Sequence, residues 1–139
     1  MAANFHVDIA RACVFSRVWG SVVDDDLFGH TFAIRAHPLF RPEFVQVMDY
    51  RDVKQVLVST DCVRQLAEHN PWAREARRAL VMNQALLVGL GRMYQLSGAA
   101  PAEGVAVCGT WEEAMRWVGL PDDTGWPAQP EHWRSAAQA

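Results

Sequence analysis

The chain has 139 residues, of which 50% are hydrophobic and 21% are charged, the composition of one ordinary globular domain. Its formal net charge of −3 at pH 7 offers no concentrated positive surface, so nucleic acid is not an expected partner. The start, MAANFHVDIARAC, has an early Asp8 and no long apolar core, and no apolar run approaches the roughly 20 residues that span a bilayer. We therefore predict a soluble, cytoplasmic protein with no membrane partner.

The first part of the chain predicts an antiparallel hairpin and then a helix. Apolar residues alternate over 5–9, and a second apolar strand follows over 14–20 after a short turn. Asp24, Asp25 and Asp26 then open a helix, because carboxylates at a helix start accept free backbone N–H groups and complement the helix dipole. Three adjacent aspartates could instead hold a cation, but helix-start chemistry accounts for them more simply.

The stretch 44–66, FVQVMDYRDVKQVLVSTDCVRQL, is the part around which the chain is organised. The apolar run 44–48 predicts a buried central strand, and Asp49 is the residue at its end. A charged loop and a short second apolar run over 56–58 are expected to follow. Ser59 is a natural N-cap for the next helix, so this stretch predicts strand, loop, short strand and helix.

Three arginines, Arg74, Arg77 and Arg78, precede the apolar run 79–82. Together they could bind an anion, since arginine is the residue that pairs best with carboxylate and phosphate groups. Arginines between two elements more often lie on a solvated turn. We therefore assign the trio to a turn and predict a strand over 79–82.

Asn83 and Gln84 lead from this strand into a helix. Gly89 and Gly91 lie inside that helix, so they are not a dinucleotide-binding fingerprint, which must follow a strand and open a helix. They are expected to allow close packing against the sheet. The helical spacing predicts a buried face made of Leu86, Leu87, Leu90, Met93 and Tyr94.

The end of the chain predicts a strand over 105–108 and a helix that Thr110 caps, with Glu113 completing a capping box. The tail 121–139 is rich in proline and tryptophan. Its Trp126 and Trp133 are expected to pack on the body or on a neighbouring subunit, because a solvated tail gains nothing from large indoles. The isolated cysteines, which we expect to be buried and reduced, are Cys13, Cys62 and Cys108.

The alternation of strands and helices predicts one α/β domain over 1–120. Its mixed sheet would have five to six strands, an N-terminal antiparallel hairpin and then parallel strands, flanked by about four helices. Ligands of such sheets tend to bind beyond the carboxyl ends of the parallel strands. The candidate functional edge therefore consists of Asp49, Tyr50, Arg51, Asp52, Ser59, Thr60, Asn83 and Thr110.

Several of these segments resemble a group of small bacterial proteins related to the STAS superfamily of anti-sigma-factor antagonists. The similarity covers about residues 5–120 and is carried by FVQVMDYRDV, the serine-capped helix, RALVMN, GLGRMYQL and VAVCGTWEEAMRWVGL. It implies a mixed sheet flanked by helices, frequent self-association, and action through protein contact or small-ligand binding.

The resemblance also implies a candidate switch. In STAS switch proteins a serine at a helix start is phosphorylated to control partner binding, and Ser59 or Thr60 takes its approximate place here. The Asp-Ser-Ser/Thr-Gly signature of that site is absent, and Cys62 follows instead. A plain N-cap is the alternative role of Ser59.

No catalytic signature stands out in the sequence, and no cofactor or metal is predicted. The pair Asp49 and Asp52 could form a carboxylate dyad, but Arg51 offers Asp49 a simpler partner. We therefore expect a non-enzymatic regulatory or protein-interaction module, as a homodimer with a possible protein partner. The alternative is a binder of a small apolar or anionic molecule in a helix–sheet cleft lined by Met82, Leu86 and Met93. An unrecognised hydrolase is a third, weaker alternative.

Overall fold

The computed structural model describes residues 3–97 and 103–126, together with the backbone of residues 134 and 135. The elements occur in the predicted order, except that one strand stands between the first and second helices where two were predicted. The elements are β1 (Ala3–Asp8), β2 (Cys13–Val23), α1 (Asp24–Ala36), β3 (Val45–Leu57), α2 (Thr60–Glu68), β4 (Arg78–Val81), α3 (Ala85–Leu96), β5 (Val105–Cys108), α4 (Trp111–Val118) and β6 (Arg134–Ser135).

The strands form one mixed sheet in the order β5-β4-β3-β2-β1-β6. Strand β1 is antiparallel to β2 and to the two-residue β6, whereas β2, β3, β4 and β5 are parallel neighbours. Each parallel pair is joined through one helix, as parallel strands require a long crossover. The structure confirms the predicted α/β fold with an N-terminal hairpin and four helices in its described part.

The predicted loop after Asp49 is wrong, because β3 is one continuous strand of 13 residues. Strand β2 is also longer than predicted, since it runs past Gly20 to Val23. The two pair in parallel over their whole length, and Val23 lies opposite Leu57. The polar residues of the supposed loop therefore belong to a strand that β2 supports.

Two register shifts explain why this strand resembled a loop. They lie between Arg17 and Trp19 and between Gly20 and Ser21 of β2, and each inserts an extra residue on the β3 side. A bulge of this kind interrupts the alternation of inward and outward side chains. The period-2 pattern that identifies a strand is therefore lost between Asp49 and Val56.

Helices cover both faces of the sheet unequally. Helices α1, α2 and α3 pack on one face, which we call the three-helix face, where Leu27 and Leu87 meet Met48. Helix α4 packs on the other, the α4 face, where Met115 meets Val47. The adjacent residues Val47 and Met48 thus point to opposite faces, as strand geometry requires. Both faces of the central strands are buried, which explains their apolar sequences.

Helix α3 confirms only part of its predicted buried face. Leu87 is buried and Tyr94 packs against the core, whereas the predicted Leu86 is 59% exposed and the buried position next to them is Gly91. A Cβ atom at Gly91 would lie 2.8 Å from the sulfur of Met82, so this glycine allows the predicted close packing. Nothing lies within 4 Å of the same position at Gly89, which therefore has no packing role.

The chain after α4 returns across the α4 face. The ring of Trp126 lies 4.6 Å from that of Trp111 and 6.2 Å from that of Phe15. The indole Nε1 of Trp111 donates a hydrogen bond to the carbonyl of Thr124 over 2.6 Å. This confirms that Trp126 packs on the body, and Trp133 lies outside the described residues.

Candidate functional site

A partly enclosed cavity of about 80 Å³ lies between the sheet and the helices of the three-helix face. Strands β2, β3 and β4 form its floor, and α1, α2 and α3 form its walls. Such a concave, mostly apolar site with a few convergent polar groups is typical of small-molecule binding. Its apolar lining consists of Val22, Leu27, Ile34, Met48, Val56, Val58, Val63, Leu66, Trp72, Leu80, Met82, Leu87 and Leu90.

A chain of hydrogen bonds forms the polar part of this cavity. The Nε2 amide of Gln46 donates to Ser16 Oγ over 3.1 Å, and its Oε1 accepts from Arg78 Nε over 3.2 Å. Arg78 Nη1 donates to the hydroxyl of Tyr94 over 2.7 Å. Ser16, Gln46 and Arg78 are all buried. Residues from β2, β3, β4 and α3 thus converge on one guanidinium group.

Arg78 is buried without a carboxylate partner. Only 7% of it is exposed, and none of the described acidic residues forms an ion pair with it. Its guanidinium carbon lies 4.3 Å from the ring centroid of Trp72 and 5.3 Å from that of Tyr94. These cation–π contacts offset part of the cost of removing the charge from water. The charge itself remains unneutralised by the described protein groups.

The predicted solvated turn for the three arginines is wrong in the case of Arg78, which is the first residue of β4. The other two do lie on the surface. Arg74 pairs with Glu103 at 3.7 Å, and the guanidinium of Arg77 lies 4.7 Å from the Trp117 ring centroid. Alternation along the strand separates the neighbours Arg77 and Arg78, so one faces solvent and the other enters the core.

The two ends of the cavity differ in polarity. Gln46 and Arg78 stand at the N-terminal ends of β3 and β4, where the polar network lies. Val56 lies near the C-terminal end of β3, and Met82 directly follows β4. The lining is therefore cationic towards one end of the parallel strands and apolar towards the other. This asymmetry suits a ligand with a charged head and an apolar remainder.

His30 of α1 adds a second buried polar group to the cavity wall. Both of its ring nitrogens are buried, and neither has a hydrogen-bond partner among the described residues. Its ring packs edge-on against that of Phe5, with 5.5 Å between the ring centroids. Burial lowers the pKa of His30 to about 3, so its imidazole is neutral at pH 7.

The structure divides the first part of the candidate edge between the two faces of the sheet. Asp49 and Arg51 lie on the α4 face, where Arg51 Nε and Nη2 donate to the Asp49 carboxylate over 2.9 and 3.0 Å. This confirms Arg51 as the partner of Asp49. Tyr50, between them, points to the opposite face and lines the cavity. Burial raises the pKa of Tyr50, so its phenol stays protonated. Asp52 is exposed.

The remaining residues of that edge cap helices or face solvent. Ser59 Oγ accepts from the backbone N–H of Cys62 over 3.1 Å, which confirms it as the N-cap of α2, and Thr60 is exposed. Thr110 Oγ1 accepts from the Glu113 N–H over 3.2 Å at the start of α4. The exposed Asn83 lies between β4 and α3. None of Ser59, Thr60, Asn83 and Thr110 lines the cavity.

Sequence reasoning missed the residues that make the cavity polar. Gln46 interrupts an otherwise apolar central strand, and a buried polar residue in such a run is an informative signal. Arg78 gives no comparable signal. It stands in a cluster with Arg74 and Arg77, which are exposed, and nothing in the sequence separates it from them. Of the residues predicted to line a cleft, Met82 does so, whereas Leu86 faces solvent and Met93 is not part of the lining.

Neither the cysteines nor the potential metal ligands form a second candidate site in the described part of the chain. Cys13, Cys62 and Cys108 are buried and unpaired, as predicted. Burial raises the thiol pKa of Cys62 to about 12 and that of Cys108 to about 11, which removes the reactive thiolate. The described residues hold no cluster of histidine, cysteine and carboxylate side chains that could bind a metal.

None of the described helices has the length and apolar character needed to cross a membrane. Comparison with known proteins finds no family model, no curated protein and no solved structure that matches this chain. The cavity must therefore be interpreted from its own chemistry.

Proposed function

We propose that this chain is a non-enzymatic, cytoplasmic module that binds a small apolar or anionic molecule in the cavity under α1, α2 and α3. The observation that carries the proposal is the buried guanidinium of Arg78 on an otherwise apolar wall. A buried charge without a counter-ion destabilises a fold unless something compensates it. A ligand that brings a negative charge or dipole would supply that compensation.

The chemistry of the lining supports binding rather than catalysis. Its titratable groups are His30, Tyr50, Arg78 and Tyr94, and no carboxylate or cysteine is among them. His30 is neutral and has no hydrogen-bonded orienting group, so the nucleophile-and-base arrangement of an enzyme is not assembled there. The hydrogen bonds of Arg78 hold it in place, which suits recognition of a ligand group.

This proposal is tested with small probes on the whole protein. We expect at least one compound from a panel of short carboxylates, the corresponding amides and benzene to raise the melting temperature. The same compound should shift the amide resonances of cavity residues such as Leu87 and Gly91 in ¹H–¹⁵N spectra. A panel in which no compound does either would overturn the proposed function.

A matched pair of glycine variants localises the binding. In Gly91→Ala, the new methyl group meets the Met82 thioether at the cavity wall and should weaken binding. In Gly89→Ala, the methyl group enters open space on the same helix, so binding should be unchanged. Both variants gain the helix propensity of alanine, which removes that effect from the comparison. Equal binding by both would place the ligand elsewhere.

A homodimeric interaction module is the second candidate, and the outer surface of α3 supports it. Leu86 and Leu96 are 59% and 74% exposed on this helix, which carries only one charged residue, Arg92. Self-association is also what the resemblance to STAS proteins implies. We propose that copies associate through α3, the helix that also lines the cavity.

The dimer proposal predicts that Leu86→Glu and Leu96→Glu shift the molecular mass measured by light scattering from dimer to monomer. Burying one charge in an apolar interface is unfavourable enough to break such a contact. Leu39→Glu, at an exposed position after α1, is the control and should leave the dimer intact. A wild-type chain that stays monomeric at high concentration would contradict the proposal.

A further inference from the structure

We propose that the ligand of the cavity is a short-chain monocarboxylate whose carboxylate group pairs with Arg78 and whose apolar part lies towards Met82 and Leu87. The inference rests on the proposed function, because it assigns the chemical class of the molecule that the cavity takes.

The unused donors of Arg78 indicate a carboxylate. A guanidinium group has five N–H donors in one plane. Gln46 takes the Nε donor and Tyr94 takes one on Nη1, and no described residue accepts from the other three. One donor on Nη1 and two on Nη2 remain, and this pair of nitrogens forms the two parallel hydrogen bonds that a carboxylate accepts.

The surroundings of Arg78 favour a single negative charge. Arg78 is the only permanently charged residue in the lining, and His30 is neutral because burial lowers its pKa to about 3. A doubly charged phosphate would therefore be only half neutralised in an apolar site, which is costly. A monocarboxylate leaves no uncompensated charge after pairing.

The volume limits the length of the apolar part. A cavity of about 150 Å³ lined by Leu, Ile and Phe side chains takes up benzene, which has six heavy atoms. The cavity here has about half that volume, at about 80 Å³, and is only partly enclosed. Because the cavity is open on one side, it has room for roughly four to six heavy atoms, which corresponds to acids from acetate to butyrate.

The test measures binding of propionate and of its uncharged isostere propionamide by titration calorimetry at constant ionic strength. We expect propionate to bind at least about tenfold more tightly, since hydrogen bonds to charged groups are the stronger ones. The preference should disappear in Arg78→Met and persist in Arg77→Met, whose arginine lies on the surface. Octanoate and inorganic phosphate should bind more weakly than propionate.

The outcomes separate this inference from the proposed function. If propionamide or benzene binds in the cavity as tightly as propionate, the site is a binding site but not a carboxylate site. Tighter binding of octanoate or phosphate would equally overturn the assignment. If Arg78→Met does not fold, the comparison of the two isosteres on the wild-type chain decides alone. If none of the probes binds, the proposed function fails as well.

Discussion

His30 shows how one side chain can link stability to pH. Its two ring nitrogens are buried without partners, and burial lowers its pKa from the ordinary value of 6.5 to about 3. In the unfolded chain the imidazole takes up a proton near pH 6.5, whereas the folded protein excludes that proton until about pH 3. The unfolded state therefore binds more protons between these values, and stability must fall as the pH falls through that window.

We predict that His30→Leu is more stable than the wild type at pH 7 by about 1–3 kcal/mol, because it removes buried polar atoms that lack hydrogen bonds. Between pH 6 and pH 4 the free energy of unfolding of the wild type falls by about 1.4 kcal/mol per pH unit because of His30, and the variant should lack this part of the slope. Urea denaturation across this pH range measures both effects. His69→Leu, at an exposed histidine, is the control and should keep the wild-type slope.

The start of α2 shows how two helices are tied together at the level of elements. The Asp24 carboxylate of α1 accepts hydrogen bonds from the Ser59 backbone N–H and from Ser59 Oγ over 2.7 and 2.8 Å. Both bonds lower the pKa of Asp24, and the bond from the Ser59 backbone N–H has the larger effect. Their stabilisation is therefore full at neutral pH and is lost as Asp24 becomes protonated in acid. A phosphate on Ser59 would place about two negative charges against this carboxylate.

This arrangement predicts that Ser59 acts as a cap and that a negative charge there is unfavourable. Ser59→Ala should lower the free energy of unfolding by about 1 kcal/mol through loss of the cap. Ser59→Asp should cost at least as much, although aspartate is a good N-cap elsewhere, because Asp24 repels it. Adding Asp24→Asn should recover stability for Ser59→Asp in chemical denaturation. A Ser59→Asp variant as stable as the wild type would contradict this prediction and would show that the start of α2 tolerates a second negative charge beside Asp24.

At the scale of the whole molecule, the segment after α4 packs beside α4 on the α4 face of the sheet. Trp126 joins Trp111 of α4 to Phe15 of β2, so it links elements from the two ends of the chain. The turn that starts this return is made by Gly119, whose φ of 79° lies in the left-handed region that favours glycine. The turn at Gly119 and the ring contacts of Trp126 with Trp111 and Phe15 therefore help to hold the returning segment on the sheet.

We predict that Trp126→Ala lowers the free energy of unfolding by about 2–3 kcal/mol, the lower part of the range for tryptophan because the residue is only partly buried. Thermal denaturation should show a lower melting temperature and a single transition. Leu39→Ala, which removes a side chain that is 46% exposed and lies outside the proposed dimer contact, should change it little. A similar small effect for Trp126→Ala would mean that the return segment contributes nothing to the body.

Local signals account for what could be predicted. The caps at Ser59 and Thr110 and the hairpin of β1 and β2 depend on residues close together in sequence, and the structure confirms all three. The strand β3 could not be delimited in this way, because its middle part is held by β2. The bulges that fit the two strands together also erase the alternation.

The sequence by itself thus determined the order of the elements, the α/β class and the helix caps, because those depend on periodicity and on neighbouring side chains. Tertiary structure alone decided the candidate site. Its polar network joins Ser16 to Gln46 across 30 positions, Gln46 to Arg78 across 32 and Arg78 to Tyr94 across 16. No local pattern distinguishes Arg78 from Arg77. Only the pairing of β4 with β3 turns one guanidinium into the core and leaves the other in water.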